Sequence, residues 1–367
     1  MLEQKYFCSK KELVLLFLKL GVTGFGGPIA HIAMMREEVV IKRSWLSEEE
    51  FMDLVSATNL IPGPNSTELA IHVGHKVLGR WGLLIAGGCF ILPAFLIVLT
   101  ISVAYSQFGK LPQLASIMLG VRPVIISIIL LALIGFRKAA LARSPQYLSF
   151  LFSIVLMWFG VNELLILVLS GLIAIRHFRL LSLSPILMLG PSLIKTMTSQ
   201  SIFFYFLKIG SVLFGSGYVL FAFLKKELVD EKMWLTTQQL MDAITVGQIT
   251  PGPVFTSATF IGFLLNGYEG ALLATVGIFL PAFIFVAISI PLVRKLRANK
   301  KFSEIIDGIN AASFALLMAV TYELGVKSLF SFSTILIFVL SFLILKYSRL
   351  NSSWMVFIGG IVGYYFL

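Results

Sequence analysis

Charged residues are scarce in this sequence. Asp, Glu, Lys and Arg make up 13% of its 367 residues, and hydrophobic residues make up 58%. About 25% charged residues is usual for a soluble domain. A compact soluble fold could not hide so much apolar surface from water. The composition therefore excludes a soluble globular protein and favours one that folds in a lipid bilayer.

Cysteine is almost absent, because Cys8 and Cys89 are the only two. A disulfide framework and a cysteine-based metal site are therefore excluded. His72 and His75 have a spacing that can chelate a metal, but no third ligand lies near them in the sequence. We predict no metal and no cofactor.

A nucleotide-binding loop of the GxxxxGK[ST] type is also missing, which argues against an ATP-driven pump. The polar N-terminus predicts no cleaved signal peptide. The net charge of +11 resides in short basic clusters between apolar runs, such as 176–179 and 294–297. This pattern is typical of cytoplasmic loops beside anionic lipid and argues against a nucleic-acid partner.

Ten apolar segments predict an all-α membrane protein. They are 13–35, 81–108, 114–135, 147–160, 162–178, 201–224, 270–293, 303–324, 333–347 and 352–367.

Two further segments, 47–80 and 236–268, are each interrupted by a Pro-Gly-Pro sequence. A break at bilayer depth frees backbone polar groups, which is tolerated only inside protein or beside a cavity. We interpret both segments as re-entrant or broken helices. Their hinge residues are Pro62, Pro64, Pro251 and Pro253.

The chain contains an internal repeat. Aligning 17–64 with 206–253 at an offset of 189 gives 16 identities in 48 positions, where about 3 are expected by chance. We predict an N-terminal repeat at 1–184, a linker at 185–200 and a C-terminal repeat at 201–367.

Corresponding loops of the two repeats differ in charge. The loop containing Arg137, Lys138 and Arg143 is basic, whereas its partner has only Lys327. Because basic loops mark the cytoplasmic side, the repeats are predicted to be inverted, each with about five transmembrane helices and one re-entrant segment. The basic N-terminus disagrees with this scheme, so the first helix could instead be interfacial.

Paired broken helices in inverted repeats are typical of secondary transporters, which bind substrate where the breaks meet. A helix beginning at Pro64 or Pro253 would direct free N–H groups at the break and bind an anion. The alternative is a packing kink. The candidate binding residues here are Gly63, Asn65, Ser66, Thr67, Gly252, Thr256 and Ser257.

Lys19 and Lys208 occupy one repeat position inside apolar runs. A buried ammonium needs an anionic partner, and two such lysines would balance a dianion. The alternative is that both side chains extend to the interface. Gly26 and Gly27 follow the first lysine and permit close backbone approach to an anion or to a neighbouring helix.

Glu68 follows the first break, and Ser257 holds its repeat position. A carboxyl beside an anion site could load a proton, so Glu68 is the candidate coupling residue. The alternative is a structural contact with Lys19 or His72. Asp53 and Asp242 are interpreted as structural.

The sequence Phe17-Leu-Lys-Leu-Gly-Val-Thr-Gly-Phe-Gly-Gly-Pro-Ile-Ala-His31, with both Pro-Gly-Pro breaks, resembles the chromate ion transporter family in its two-domain, long-chain form. The resemblance implies chromate efflux that confers resistance, with sulfate as an isosteric competitor, in a bacterial inner membrane. It implies functional positions at Lys19, Gly26, Gly27, Pro28 and His31. Tyr218 departs from the family pattern, which often has His there.

The sequence thus predicts a membrane transporter and not an enzyme. The transporter is expected to export a tetrahedral oxyanion by alternating access driven by an ion gradient. Chromate is the first candidate and sulfate the second. An anion channel and a membrane enzyme acting on a phosphate-bearing lipid are the alternatives. The sequence leaves open whether the chain forms a homodimer.

Overall fold

A computed structural model describes residues 8–108, 112–174, 198–214, 217–290, 300–348 and 350–366. All regular elements in these ranges are helical. The α-helices are α1 Lys10–Thr23, α2 Gly27–Arg36, α3 Glu48–Thr58, α4 Asn65–Phe108, α5 Pro112–Ala140, α6 Ser144–Trp158, α7 Glu163–Ile173, α8 Ser199–Val212, α9 Leu220–Leu224, α10 Thr237–Ile249, α11 Ser257–Ser289, α12 Lys300–Ser328, α13 Phe332–Tyr347 and α14 Ser352–Phe366. Both basic clusters named above and most of the predicted linker lie outside the described residues.

Within the described ranges, four helical stretches are long and apolar enough to cross a membrane. They are Asn65–Phe108, Ser116–Lys138, Val254–Ser289 and Lys301–Ser328. Three shorter apolar helices accompany them, and large side chains such as Trp158, Phe332 and Tyr347 are exposed on the surface. The chain is therefore a multi-pass membrane protein, because water could not solvate this outer surface.

The two halves repeat the same local structure. A π-helical turn follows α2 at Glu37–Lys42 and α9 at Lys225–Glu231. After each turn, Ser44 and Met233 adopt positive φ angles of 50° and 53°. Capping boxes at Ser47 and Thr236 then begin α3 and α10. A capped helix start after a sharp reversal fixes the direction in which the broken segments enter.

Helices α4 and α11 each fold back near one end. The backbone of α4 leaves helical geometry at Leu78 and Gly79, and that of α11 does so at Asn266 and Gly267. The backbone at Gly74 touches that at Gly82, although residues eight apart in a straight helix are about 12 Å apart. Each helix is therefore a short arm, leading from a Pro-Gly-Pro break, folded against a long arm.

Helix α1 runs against α2 and its π-helical turn. Lys19 contacts Glu38, and Arg43 lies 3.9 Å from Glu12 near the start of α1. Contacts at both levels mean that the two segments are antiparallel and that both outer ends lie on the same side. In the part of the chain described here, α1 is thus one arm of a hairpin, not an isolated span.

Candidate functional site

The two Pro-Gly-Pro segments are held by each other's half of the protein. The N–H of Gly63 donates to the carbonyl oxygen of Leu213, at the end of α8, over 2.8 Å. The N–H of Gly252 donates to the carbonyl oxygen of Gly24, at the end of α1, also over 2.8 Å. These four residues form what we call the crossover, in which each break is bonded to the end of the first helix of the opposite half.

Gly63 and Gly252, the glycines of the two breaks, are required by their surroundings. Gly63 has a φ of 140° and Gly252 a φ of 93°, a region that L side chains rarely adopt. A Cβ on Gly252 would lie 2.7 Å from Cβ of Ala94, and one on Gly63 would clash with the Glu68 carboxyl. Long arms from α4 and α11 therefore close the crossover from opposite halves.

The first turns after the breaks carry buried polar atoms that lack partners. No hydrogen bond from the described residues reaches Thr67 Oγ1, Ser257 Oγ or either carboxyl oxygen of Glu68. All three residues are fully buried. An unpaired buried polar group costs about 1–3 kcal/mol. Such groups are expected where a ligand or an ion completes the bonding.

Other predicted binding residues are already engaged. Asn65 Nδ2 donates to Asn59 Oδ1 over 2.9 Å, and Thr256 Oγ1 donates to the carbonyl oxygen of Pro253 over 2.8 Å. Ser66 is buried in the same turn. Thr67 and Ser257 are thus the proposed residues whose fully buried hydroxyl groups have no partner among the described residues.

The prolines sit one residue earlier than the sequence predicted. Helix α4 begins at Asn65, and the carbonyl oxygen of Pro64 accepts the N–H groups of Thr67 and Glu68 at 2.7 and 3.0 Å. Pro253 likewise precedes its helical turn, with an extended ψ of 134°. The proline carbonyls thus accept some of the backbone N–H groups that were expected to face an anion. The first two N–H groups of each turn are left to face it.

Each candidate lysine is paired with a carboxylate 19 residues later. Lys19 Nζ lies 2.9 Å from Glu38 Oε1, and Lys208 Nζ lies 2.6 Å from Glu227 Oε1. The two glutamates occupy one repeat position and are buried. Sequence reasoning missed them, although their identity at the offset of 189 was visible. A dianion could use these ammonium groups only by competing with the glutamates.

The surroundings of the two pairs differ. Glu38 also contacts Lys42 and Arg43, and a pocket of about 340 Å³ opens beside Lys19 and Thr23. Burial raises the pKa of the Glu38 carboxyl, but hydrogen bonds from Lys19 and Arg43 outweigh burial and lower that pKa to about 2. Glu38 is therefore ionised at neutral pH.

Glu68 does not make the structural contacts considered for it. Lys19 pairs with Glu38 instead, and neither Glu68 nor the Nε2 atom of His72 has a hydrogen-bond partner among the described residues. The salt-bridge alternative for Glu68 is therefore wrong in this conformation. A buried carboxylate without a partner is costly, which favours the neutral acid.

His31 and Gln248 add two polar groups near the crossover. The carbonyl oxygen of Gly24 accepts a hydrogen bond from His31 Nε2 over 2.8 Å, so the proton is on Nε2. Gln248 accepts a bond from Tyr218, but its buried Nε2 has no partner among the described atoms. Gly27 is near this group, because a Cβ there would lie 3.7 Å from Tyr218 Oη. Gln248 is a donor that the sequence argument overlooked.

Asp242 joins the two halves. Tyr105 Oη, near the end of α4, donates to Asp242 Oδ2 over 2.7 Å, and Arg122 lies 3.3 Å from Asp242 Oδ1. Asp242 is only 1% exposed. These contacts agree with the structural interpretation of this residue, since a buried carboxylate must be paired.

Comparison with known proteins gives a consistent result. A family model described as "Chromate transporter" matches residues 11–175 and 200–364. A probable chromate transport protein of Synechococcus elongatus is 32% identical, over 90% of this chain and 88% of its own. A chromate transport protein of Cupriavidus metallidurans is 28% identical, over 96% and 92%. An uncharacterised transporter of Methanocaldococcus jannaschii is 30% identical, over 100% and 96%. No solved structure matches the chain.

Proposed function

The chain belongs to the chromate transporter family, and from this premise we propose that it is a secondary transporter that exports a tetrahedral oxyanion by alternating access, driven by an ion gradient. Chromate is the first candidate substrate and sulfate its analogue, since relatives similar over most of the chain are named chromate transport proteins. The cytoplasmic membrane is the proposed location.

The crossover is the observation that carries this proposal. Each break there bonds to the end of the first helix of the opposite half, and no described residue bonds to the buried hydroxyl groups of Thr67 and Ser257. Hydroxyl donors and the free amides at helix N-termini suit an oxyanion. The same residues are closed to solvent in this conformation. Binding from either side would therefore require opening, as alternating access does.

We propose that the two halves have inverted topology. Tyr105 lies near the C-terminal end of α4 and contacts Asp242 near the start of α10. Lys327, at the end of α12, lies 3.2 Å from Thr237 at the start of α10. These contacts support a second broken segment that enters from the side on which α4 ends. The first broken segment begins at the other side, where Lys76 contacts Glu50.

The charge of the substrate supplies a driving force for export. A membrane potential of 100 mV, negative inside, is equivalent to about 2.3 kcal/mol per elementary charge, hence about 4.6 kcal/mol for a dianion leaving the cell. We propose that Glu68 is the coupling group at the crossover. A bound oxyanion close to Glu68 would favour its protonated form, so proton and anion binding are linked.

Uptake of labelled chromate into inverted membrane vesicles tests the proposed function. We expect saturable uptake that falls when the membrane potential is collapsed and that sulfate inhibits. Flux without saturation would instead indicate a channel. Robust flux of another anion without chromate uptake would refute the substrate while retaining the transporter.

A further inference from the structure

A cavity that none of the crossover residues lines contains several charged groups. It has a volume of about 130 Å³ and lies between α6, α7, α12 and the π-helical turn after α9. We call it the Lys225 cavity. Its charged lining residues are Glu163, Lys225, Lys226, Asp230 and Glu323. A space of this size beside several polar groups accommodates water.

Lys225 is held between two carboxylates. Its Nζ lies 2.7 Å from both carboxyl oxygens of Asp230 and 2.9 Å from Glu323 Oε2. Lys225 is only 3% exposed. Both carboxylates are thereby neutralised in part, and the ammonium group occupies the position that a bound metal cation would need.

Glu163 is the carboxyl of this cavity that has one oxygen atom without a hydrogen-bond partner among the described residues. It is the first residue of α7 and is 6% exposed. Its Oε2 is buried and accepts no hydrogen bond from the described residues. A single free carboxyl oxygen suits a proton, because alkali and alkaline-earth cations need several oxygen ligands.

The charges around Glu163 also favour one added positive charge. Three carboxylates line the cavity against two ammonium groups, Lys225 and Lys226. Glu227 and Glu231, on the same π-helical turn, act on Glu163 electrostatically as well. Helix α12 contributes Glu323, whereas the α6 lining residue Met157 is apolar. One proton on Glu163 would balance the lining charges.

We propose that Glu163 binds and releases a proton in the Lys225 cavity and that this is a second coupling site of the transporter. Proton binding itself stands apart from the proposed function, whereas its coupling to transport rests on that function. Glu227, which acts electrostatically on Glu163, is also the ion-pair partner of Lys208. The positions aligned with Lys225 and Asp230 in the first half are Arg36 and Ile41, so the site belongs to one half only.

Infrared spectroscopy of the full-length protein in lipid vesicles tests proton binding without any oxyanion. Lowering the pH from about 9 to about 6 leaves carboxyls of ordinary pKa almost entirely ionised, so the carboxyls that become protonated are those with strongly perturbed surroundings. We expect a protonated-carboxyl band equivalent to one residue that is lost in Glu163→Gln and kept in Glu163→Asp. Glu269→Gln is the control, since this exposed residue lies outside the cavity, and it should keep that band.

Two results would overturn the proton site. One is a band that persists unchanged in folded Glu163→Gln. The other is a wild-type band that disappears on adding Na⁺ at constant pH, which would assign the cavity to an alkali cation.

Chromate exchange in proteoliposomes then tests coupling. We expect Glu163→Gln to retain exchange between equal internal and external chromate, but to lose the extra flux that a pH gradient drives in the wild type. An equal response of both proteins to the gradient would overturn the coupling role. Absence of exchange in the wild type would refute the proposed function and leave the infrared result standing.

Discussion

Replacing Lys208 with glutamine separates the structural role of the paired lysines from a role in substrate binding. Lys208 is the only residue within ion-pairing distance of Glu227 among the described residues. The Glu227 side chain is 4% exposed. Lys208→Gln therefore leaves a buried carboxylate without a counter-charge, and the folded state loses both the attraction and the hydrogen bond.

The size of the effect follows from the burial of each partner. Removing one partner of a fully buried pair costs about 3–5 kcal/mol. The Lys208 side chain is 32% exposed, so water screens part of the interaction and we expect about 2–3 kcal/mol. The double variant Lys208→Gln/Glu227→Gln removes both charges and should recover most of that loss.

Lys19→Gln is the matched control in the other half. Glu38 retains Lys42 and Arg43, and the Lys19 side chain is 57% exposed. We expect a loss of no more than about 1 kcal/mol. Chemical unfolding of the purified proteins in one detergent gives the free energies, and chromate exchange is measured in parallel.

Equal destabilisation by Lys19→Gln and Lys208→Gln would refute this reasoning, as would a double variant no more stable than Lys208→Gln. A stable Lys208→Gln variant that has lost chromate exchange would instead show that the lysine acts on the substrate directly.

Three further predictions concern other parts of the structure. Gly252→Ala should lower the free energy of unfolding by about 2–4 kcal/mol, because it strains the backbone and breaks a crossover hydrogen bond. Gly88→Ala is the control, since a Cβ at Gly88 meets nothing within 4 Å. In thermal unfolding, Gly88→Ala should be neutral or stabilising. The pKa of the Glu38 carboxyl is lowered from 4.5 to about 2. The ionised carboxylate should therefore stabilise the protein above about pH 4.5, and this stabilisation should disappear as the pH falls toward 2. Comparing the unfolding of Glu38→Gln with that of the wild type across this pH range tests the prediction. Tyr105→Phe should cost about 1–2 kcal/mol, because its hydroxyl donates to a buried carboxylate, and Tyr364→Phe on the exposed surface should cost nothing in the same unfolding assay.

The helical membrane fold was predictable because it depends on composition. Apolar runs of more than 20 residues, few charges and the internal repeat indicate membrane helices whatever their packing. Each of the four long spans overlaps a segment that the sequence identified. Hydropathy gave no sign that α1 and α2 would form a hairpin, because the antiparallel arrangement depends on pairs such as Lys19 with Glu38.

The positions of the two breaks were predictable from the sequence, but their contacts were not. Pro-Gly-Pro at matched positions indicates a break, since proline and glycine both disfavour a helix interior. The partners of Gly63 and Gly252 are the ends of α8 and α1 in the opposite half. Such long-range pairing leaves no local pattern. For the same reason, the sequence could not distinguish Thr67, which lacks a partner, from Thr256, which has one.

The central claim is that the crossover binds the oxyanion, and chromate exchange by Thr67→Val and Ser257→Ala tests it most directly. Each variant removes a buried hydroxyl without a partner, so the protein should keep or gain stability. Each also removes a donor to a charged ligand, so chromate affinity should fall about 10- to 100-fold. Thr100→Val, which removes an exposed hydroxyl of α4, should change neither property. Wild-type chromate affinity in stable Thr67→Val and Ser257→Ala variants would contradict the account.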